Sequence, residues 1–466
     1  MCYTSYIQKD STLAGTRERY VLALLFFGIA AARLCHTGIV WVEEAYPTAA
    51  AIQILDGKLL YRDIWFDKPP LAAYIYLLWD ARIGVTLRLV GAIFVFLCCW
   101  MAWRFAREMW SPREGVAAAC FVGFFLTFGI PSAVMALAPD LLMVLPHIAA
   151  VYLAWRGRPF LSGLTAGVAM LVNPKAVFLL AACALWTGRS WVWLLAGFGL
   201  PHLAALAVFG TPYIQEVWKW GALYSKQTFA LSTGVTRTLD WAGFHCALVV
   251  AAGYAFWKEK HWRMAGWLLL SLAAVAAGWR FFPRYYFQLL PVTVLLAARG
   301  YTLLGRWRAM VWLLLLIPLA RFGPRYVTLA WDLAHHRETQ WSDLALNQDS
   351  RDAADRIGRE GTLMVWGYRP DIFAYTRMKA GTRFLDSQPL TGVLADRHLT
   401  NSQVIAPGLA AENRKELSRT TPTWIVDGLG LYNPTLAISN YPDLREWLAG
   451  YREIARTRGS IIYRRK

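Results

Sequence analysis

Between Trp41 and Leu71 the chain reads WVEEAYPTAAAIQILDGKLLYRDIWFDKPPL, which sets two adjacent carboxylates, Glu43 and Glu44, upstream of a cation, Lys68. Pro69 and Pro70 follow Lys68 at once and leave it few ways to move. A carboxylate held at a membrane boundary is partly desolvated, which favours its protonated form and moves it toward the range of a general base. Neighbouring residues cannot share one helical face, so Glu43 and Glu44 are expected to have different jobs. A further carboxylate, Asp140, and two further cations, Lys175 in Asn173-Pro174-Lys175 and Arg284 in Pro283-Arg284-Tyr285, come from separate regions. Converging in one cleft, these groups would suit a substrate whose phosphate needs neutralising while a nearby hydroxyl or amine loses a proton. Arg284 brings a planar fork that a lysine lacks. Taken singly, Lys68 and Arg284 also fit interfacial anchors and Asp140 a helix cap. Only the set is specific.

The elements that must position these groups are apolar. With 57% apolar and 17% charged residues and a mean hydropathy of +0.35, the 466-residue chain falls outside the range of a soluble enzyme. Apolar runs near 20–42, 88–104, 115–130, 141–155, 160–173, 175–187, 190–209, 241–257, 262–279, 285–298 and 309–322 predict about eleven transmembrane helices. The first is read as a retained helix, not a cleaved signal peptide. The net charge of +18 sits mostly in short groups between these runs, such as Arg104/Arg107/Arg113 and Lys258/Lys260/Arg263. That is how a membrane protein fixes its orientation, and it argues against nucleic acid as a partner. The basic loops claim the cytoplasmic side together with the N-terminus, which leaves residues 43–84 outside. The seven cysteines form no CxxC pair and the eight histidines are scattered, so no metal site is expected.

After Phe322 the long apolar runs stop, and 16 of the 30 acidic residues fall in the last 143 positions. Helix candidates at 343–359, 370–378 and 442–457 alternate with strand candidates at 362–367, 423–427 and 460–464. The expected organisation is a transmembrane domain, 1–323, and a small external α/β domain, 324–466. No phosphate-binding glycine loop, HExxH, GxSxG or EF-hand pattern occurs there.

In order and type, the motifs resemble those of bacterial dolichyl-phosphate-mannose:protein mannosyltransferase-like enzymes of the GT-C superfamily, a group that includes lipid A aminoarabinose transferases. The resemblance is carried by Glu43-Glu44, by the G-x-x-x-Y-x-D element Gly57 to Asp63, and by Lys68-Pro69-Pro70-Leu71. Asp140, Lys175 and Arg284-Tyr285 with Pro291 continue it, and the tail adds VWGYRPDIFAYT and TRF between Val365 and Phe384. Where that family usually opens with Asp-Glu, this chain has Glu-Glu, one methylene longer. The resemblance implies inverting transfer of a hexosyl or pentosyl group from a polyprenyl-phosphate donor to a lipid, protein or polysaccharide acceptor. It places the reaction at the outer face of a bacterial inner membrane, among membrane lipids and with no metal or other cofactor. It casts Glu43 as the base, with Glu44 beside it, and Asp140 as a second, orienting carboxylate. Lys68, Lys175 and Arg284 would hold the lipid phosphate, with Tyr61 and Tyr285 as motif residues at the substrate. Rival readings are a transporter or flippase of lipid-linked sugars, which would use the same charges to move a substrate, and a scaffold with a degenerate site.

Overall fold

Every one of the eleven apolar runs is built on helix. The computed structural model describes residues 2–129, 135–225, 230–337, 342–393 and 403–466; Ile130, the end of the third run, lies outside them. The chain is an α-helical polytopic membrane protein with a small C-terminal sheet. Among the described residues three helical stretches are long and apolar enough to cross a membrane: Val85–Met109, Ala176–Leu223 and Gly305–Ala334. A fourth is reached if Leu231–Phe244 and Cys246–Glu259, bent by 88° at His245, count as one. The remaining apolar helices, such as Pro159–Met170 and Trp262–Ala276, are shorter. Twelve to fifteen residues rise only about 18–23 Å, against roughly 30 Å of hydrocarbon.

Local sequence sets where these helices start and how closely they pack. Ser111 caps Pro112–Phe125, accepting the Arg113 N–H at 3.2 Å, while its hydroxyl donates to the Glu114 carboxylate and proline takes the first helical position. Gly163 and Gly167 of helix Pro159–Met170 lie against the backbone of Leu194 and Phe198, where a Cβ would have no room. Such small-residue stripes let helices touch where lipid supplies no hydrophobic drive.

By packing, the chain forms two units. One comprises residues 1–37, 88–203 and 229–339; the other comprises 38–87, 204–228 and 340–466. These units are defined by which residues touch, not by which side of a bilayer they occupy. The first is wholly helical among its described residues. The second holds a five-stranded sheet: β1 Thr362–Trp366, β2 Lys379–Ala380, β3 Trp424–Asp427, β4 Tyr451–Arg456 and β5 Ile461–Arg465, in the order β2-β1-β3-β5-β4. β1 pairs in parallel with β2 and β3, and β5 runs antiparallel to β3 and β4. The parallel centre is buried, as its apolar runs LMVW and WIV require. Met364, Trp366, Ile425 and Phe384 form its core, and Trp65 and Trp220 join it.

The tail differs from the sequence reading in three places. Of the helix expected over 442–457, only Arg445–Ala449 is α-helical; Tyr451–Arg456 is strand β4. YREIAR has helix-favouring residues, but Gly450 ends the helix and pairing with β5, through a bulge between Glu453 and Ala455, decides the conformation. Helix Pro407–Leu417 was not anticipated. Helix Leu316–Ala334 carries on through the compositional change at Phe322. Of the cysteines, Cys98, Cys99 and Cys183 pack as buried apolar residues, whereas Cys35 is exposed.

Candidate functional site

In the sheet-containing unit the site begins on helix Val42–Leu55. Trp41 enters it in an extended conformation, and Glu43 and Glu44 occupy the first turn, where the helix dipole favours carboxylates. Every residue from Glu44 to Gln53 is buried, whereas Glu43 is half-buried. Pro47 lacks an N–H and cannot donate to the Glu43 carbonyl. The helix closes at Asp56 and Gly57, and the left-handed φ of +89° at Gly57 turns the chain.

G-x-x-x-Y-x-D proves to be a tight turn. The Leu59 N–H donates to Asp63 Oδ2 at 2.9 Å, and Tyr61, itself at φ +66°, donates its N–H to the Ile64 carbonyl at 2.8 Å. The Tyr61 ring is buried against Phe209 and Tyr213, and its hydroxyl donates to the Lys68 carbonyl at 2.7 Å. Tyr61 thus fixes the backbone that presents Lys68. The Lys68 ammonium pairs with Asp67 at 2.9 Å.

Beside this pair lies a carboxylate that sequence reasoning missed. Asp386 is 2% exposed, and its Oδ1 accepts the Gln388 N–H at 2.7 Å. Burial pushes its carboxyl up to about 7; the Gln388 N–H and Lys68 oppose the rise and Asp67 adds to it. No periodicity or motif in TRFLDSQPL marked it, because its environment is made by Asp67 and Lys68, some three hundred positions away.

In the helical unit a second group assembles. Asp140 sits in the first turn of the short helix Pro139–Leu142, and Asn173 Nδ2 donates to its Oδ1 at 2.9 Å. Asn173 Oδ1 in turn accepts the Lys175 N–H at 3.1 Å. The Lys175 ammonium is buried 3.0 Å from the centroid of the Tyr285 ring, and Asp140 attracts it. Arg284, half-buried, precedes Tyr285 in the 3-10 turn Pro283–Gln288. The sequence singled out Asp140, Lys175 and Tyr285, and here they meet. Asn173, which bridges two of them, was named only as the first residue of Asn173-Pro174-Lys175.

The eight sequence-predicted residues therefore divide evenly: Glu43, Glu44, Tyr61 and Lys68 in one unit, Asp140, Lys175, Arg284 and Tyr285 in the other. In the first unit the cation Lys68 meets Asp67, and in the second Lys175 lies beside Asp140. Among the described residues no cluster of three or more His, Cys, Asp or Glu side chains is placed to hold a metal ion.

No protein-family model and no curated protein sequence matches the chain. Solved structures do. The apo structure of ArnT from Cupriavidus metallidurans superposes with a TM-score of 0.55 at 14% identity, over 95% of this chain and 97% of that one. The structure of the same protein bound to undecaprenyl phosphate gives 0.53 at the same identity and coverage. The apo oligosaccharyltransferase of Archaeoglobus fulgidus gives 0.50 at 12% identity, over 96% of this chain and 74% of that one. The chain has the GT-C fold. At such identities the likeness is one of fold, and the chemistry has to be argued from the residues.

Proposed function

We propose that the protein is an inverting glycosyltransferase that moves a hexosyl or pentosyl group from a polyprenyl-phosphate donor to a lipid, protein or polysaccharide acceptor at the outer face of a bacterial inner membrane. The observation that carries this reading is the GT-C fold, shared over 95% of the chain with a protein whose structure holds undecaprenyl phosphate. The two carboxylate–cation groups support it. In the proposed step an acceptor hydroxyl or amine attacks the anomeric carbon, the bond from that carbon to the phosphate oxygen breaks, and the polyprenyl phosphate leaves with the electron pair. Glu43 takes the acceptor proton, and its partial exposure is compatible with reaching an acceptor. Asp140, held by Asn173, orients acceptor or sugar. Lys68, Lys175 and Arg284 stabilise the leaving phosphate. Tyr61 supports Lys68, and Tyr285 supports Lys175 through its ring. The chemistry requires no metal or other cofactor. Residues 1–323 form the transmembrane part and 324–466 the external part in this reading.

The test is sugar transfer by the purified full-length protein from polyprenyl-phosphate-linked sugars. Glu43→Gln keeps shape and removes the base, so it is expected to lower transfer about a hundredfold. Glu44→Gln should cost less activity and more thermal stability, because Glu44 has no exposed surface. Donor that crosses the bilayer with its sugar–phosphate bond intact, and no transfer product, would replace the transferase by a flippase. Glu43→Gln at wild-type rate with Glu44→Gln inactive would make Glu44 the base.

A further inference from the structure

Helix Trp191–Tyr213 is interrupted at Gly210, whose φ of +61° and ψ of −149° are not helical, and the chain then winds into a π-helical turn, Ile214–Lys219. Such turns carry one extra residue and re-aim a side chain. Glu216, 3% exposed, lies within this turn. Its Oε2 accepts the Phe66 N–H at 2.9 Å, and its Oε1 pairs with the guanidinium of Arg383. Arg383 also donates to the Tyr61 carbonyl at 2.8 Å, and its own carbonyl accepts the Trp65 N–H at 2.8 Å. The guanidinium lies over the Trp65 ring, 5.6 Å from its centroid, and its other end is 3.9 Å from Glu416. The backbone at 61 and 66 is thereby held by one partly buried ion pair, and that at 65 by the Arg383 main chain, two to seven residues before Lys68. Glu216 belongs to none of the motifs that suggested the chemistry, being a lone acid in an apolar helix, and Arg383 enters them only as the middle residue of TRF, with no role given to it.

We propose that Glu216 and Arg383 are positioning residues, a clamp that fixes the segment Tyr61–Lys68 so that the Lys68 ammonium is presented in one place; this rests on the reading of Lys68 as a phosphate contact. A pair of this kind, with its carboxylate buried and its guanidinium half-buried, is weak evidence for net stability, since desolvation offsets much of its attraction. Its geometry is better suited to specifying a loop conformation. Two prolines stiffen the far side of Lys68, and the clamp supplies the near side.

The experiment is hydrogen exchange on the purified full chain, read by mass spectrometry, beside donor and acceptor kinetics. In Glu216→Ala and Arg383→Ala, amides in 61–71 should exchange about tenfold faster or more, while a peptide covering 424–427 keeps wild-type protection. Glu216→Gln, which still offers an acceptor to the Phe66 N–H, should fall between. If the alanine variants lose protection across the sheet as well, Glu216→Gln and Arg383→Lys decide by the same comparison. With donor as the varied substrate KM should rise about fivefold or more, with acceptor KM within about twofold of wild type. Wild-type exchange at 61–71 in the variants, or a rise confined to acceptor KM, overturns the clamp. A wild-type chain that transfers no sugar sinks the transferase reading, and the exchange comparison then decides the clamp alone.

Discussion

Lys68 keeps 39% of its side-chain surface exposed while paired with Asp67 at 2.9 Å, so an incoming phosphate would have to compete with a carboxylate already in place. In the proposed reaction Asp67 would hold the ammonium until the donor arrives, and Lys68→Ala would remove the charge from both states. Lys68→Ala and Arg284→Ala are each expected to lower transfer about a hundredfold, the usual loss when one charge-stabilising contact to a leaving group is removed. Rates within about twofold of wild type in both would make these residues membrane anchors. Asp386 gives a different kind of prediction, one of pH. An unfolded aspartate titrates near 4, whereas burial holds Asp386 up to about 7. Below about 4 both states carry the proton; between about 4 and 7 only the folded state does, so stability falls as pH rises through that window and levels off above it. Asp386→Asn stays neutral throughout and keeps the acceptor for the Gln388 N–H. Its melting temperature relative to wild type should therefore climb from pH 4.5 to pH 8, by an amount corresponding to a few kcal/mol. A difference independent of pH would show that Asp386 ionises as an ordinary carboxyl.

Among the elements, the turn from Gly57 to Asp63 is the one on which the most site geometry depends, because it ends helix Val42–Leu55 and hands the chain to Tyr61 and Lys68. A methyl group at Gly57 would meet nothing within 4 Å, so substitution there is opposed only by the φ of +89°. Gly57→Ala should lower the unfolding free energy by about 1 kcal/mol, measured by chemical denaturation, with transfer reduced through Lys68. An unchanged stability would mean that the turn relaxes to another conformation. The turn also shows what the sequence could and could not say. Runs such as LRLVGAIFVFLCCW were legible as helix because apolarity over that length has few other meanings in a chain of this composition. The order Glu-Glu, Tyr-x-Asp, Lys-Pro-Pro was legible as a pattern. The work of Tyr61 was not, since nothing local reveals that its hydroxyl reaches the Lys68 carbonyl. Asp386 and Glu216 were invisible for a related reason, and Arg383, quoted only within TRF, had no legible role: each gains its role from partners far away in sequence. YREIAR went wrong because its propensity and its pairing disagree, and pairing prevailed.

For the whole molecule, the distribution of basic residues makes a claim about sidedness that is open to direct labelling. On a background without the seven native cysteines, Arg62→Cys and Arg452→Cys, both at exposed positions, should react with an impermeant thiol reagent in intact cells. Lys260→Cys, exposed at the end of helix Cys246–Glu259, should react only after lysis. The reverse pattern would invert the orientation. The makeup of the sheet-containing unit has a consequence for how the protein is made. Its first segment, 38–87, leaves the ribosome about 250 residues ahead of its last, 340–466. At roughly 5–20 residues per second that is a delay of about 13–50 s. During that interval the Trp65 ring lacks Phe384, and Glu216, once made, lacks Arg383. The carboxylate of Glu216 therefore acquires its counter-charge only when translation supplies Arg383, so the Tyr61–Lys68 segment takes its final conformation late in synthesis.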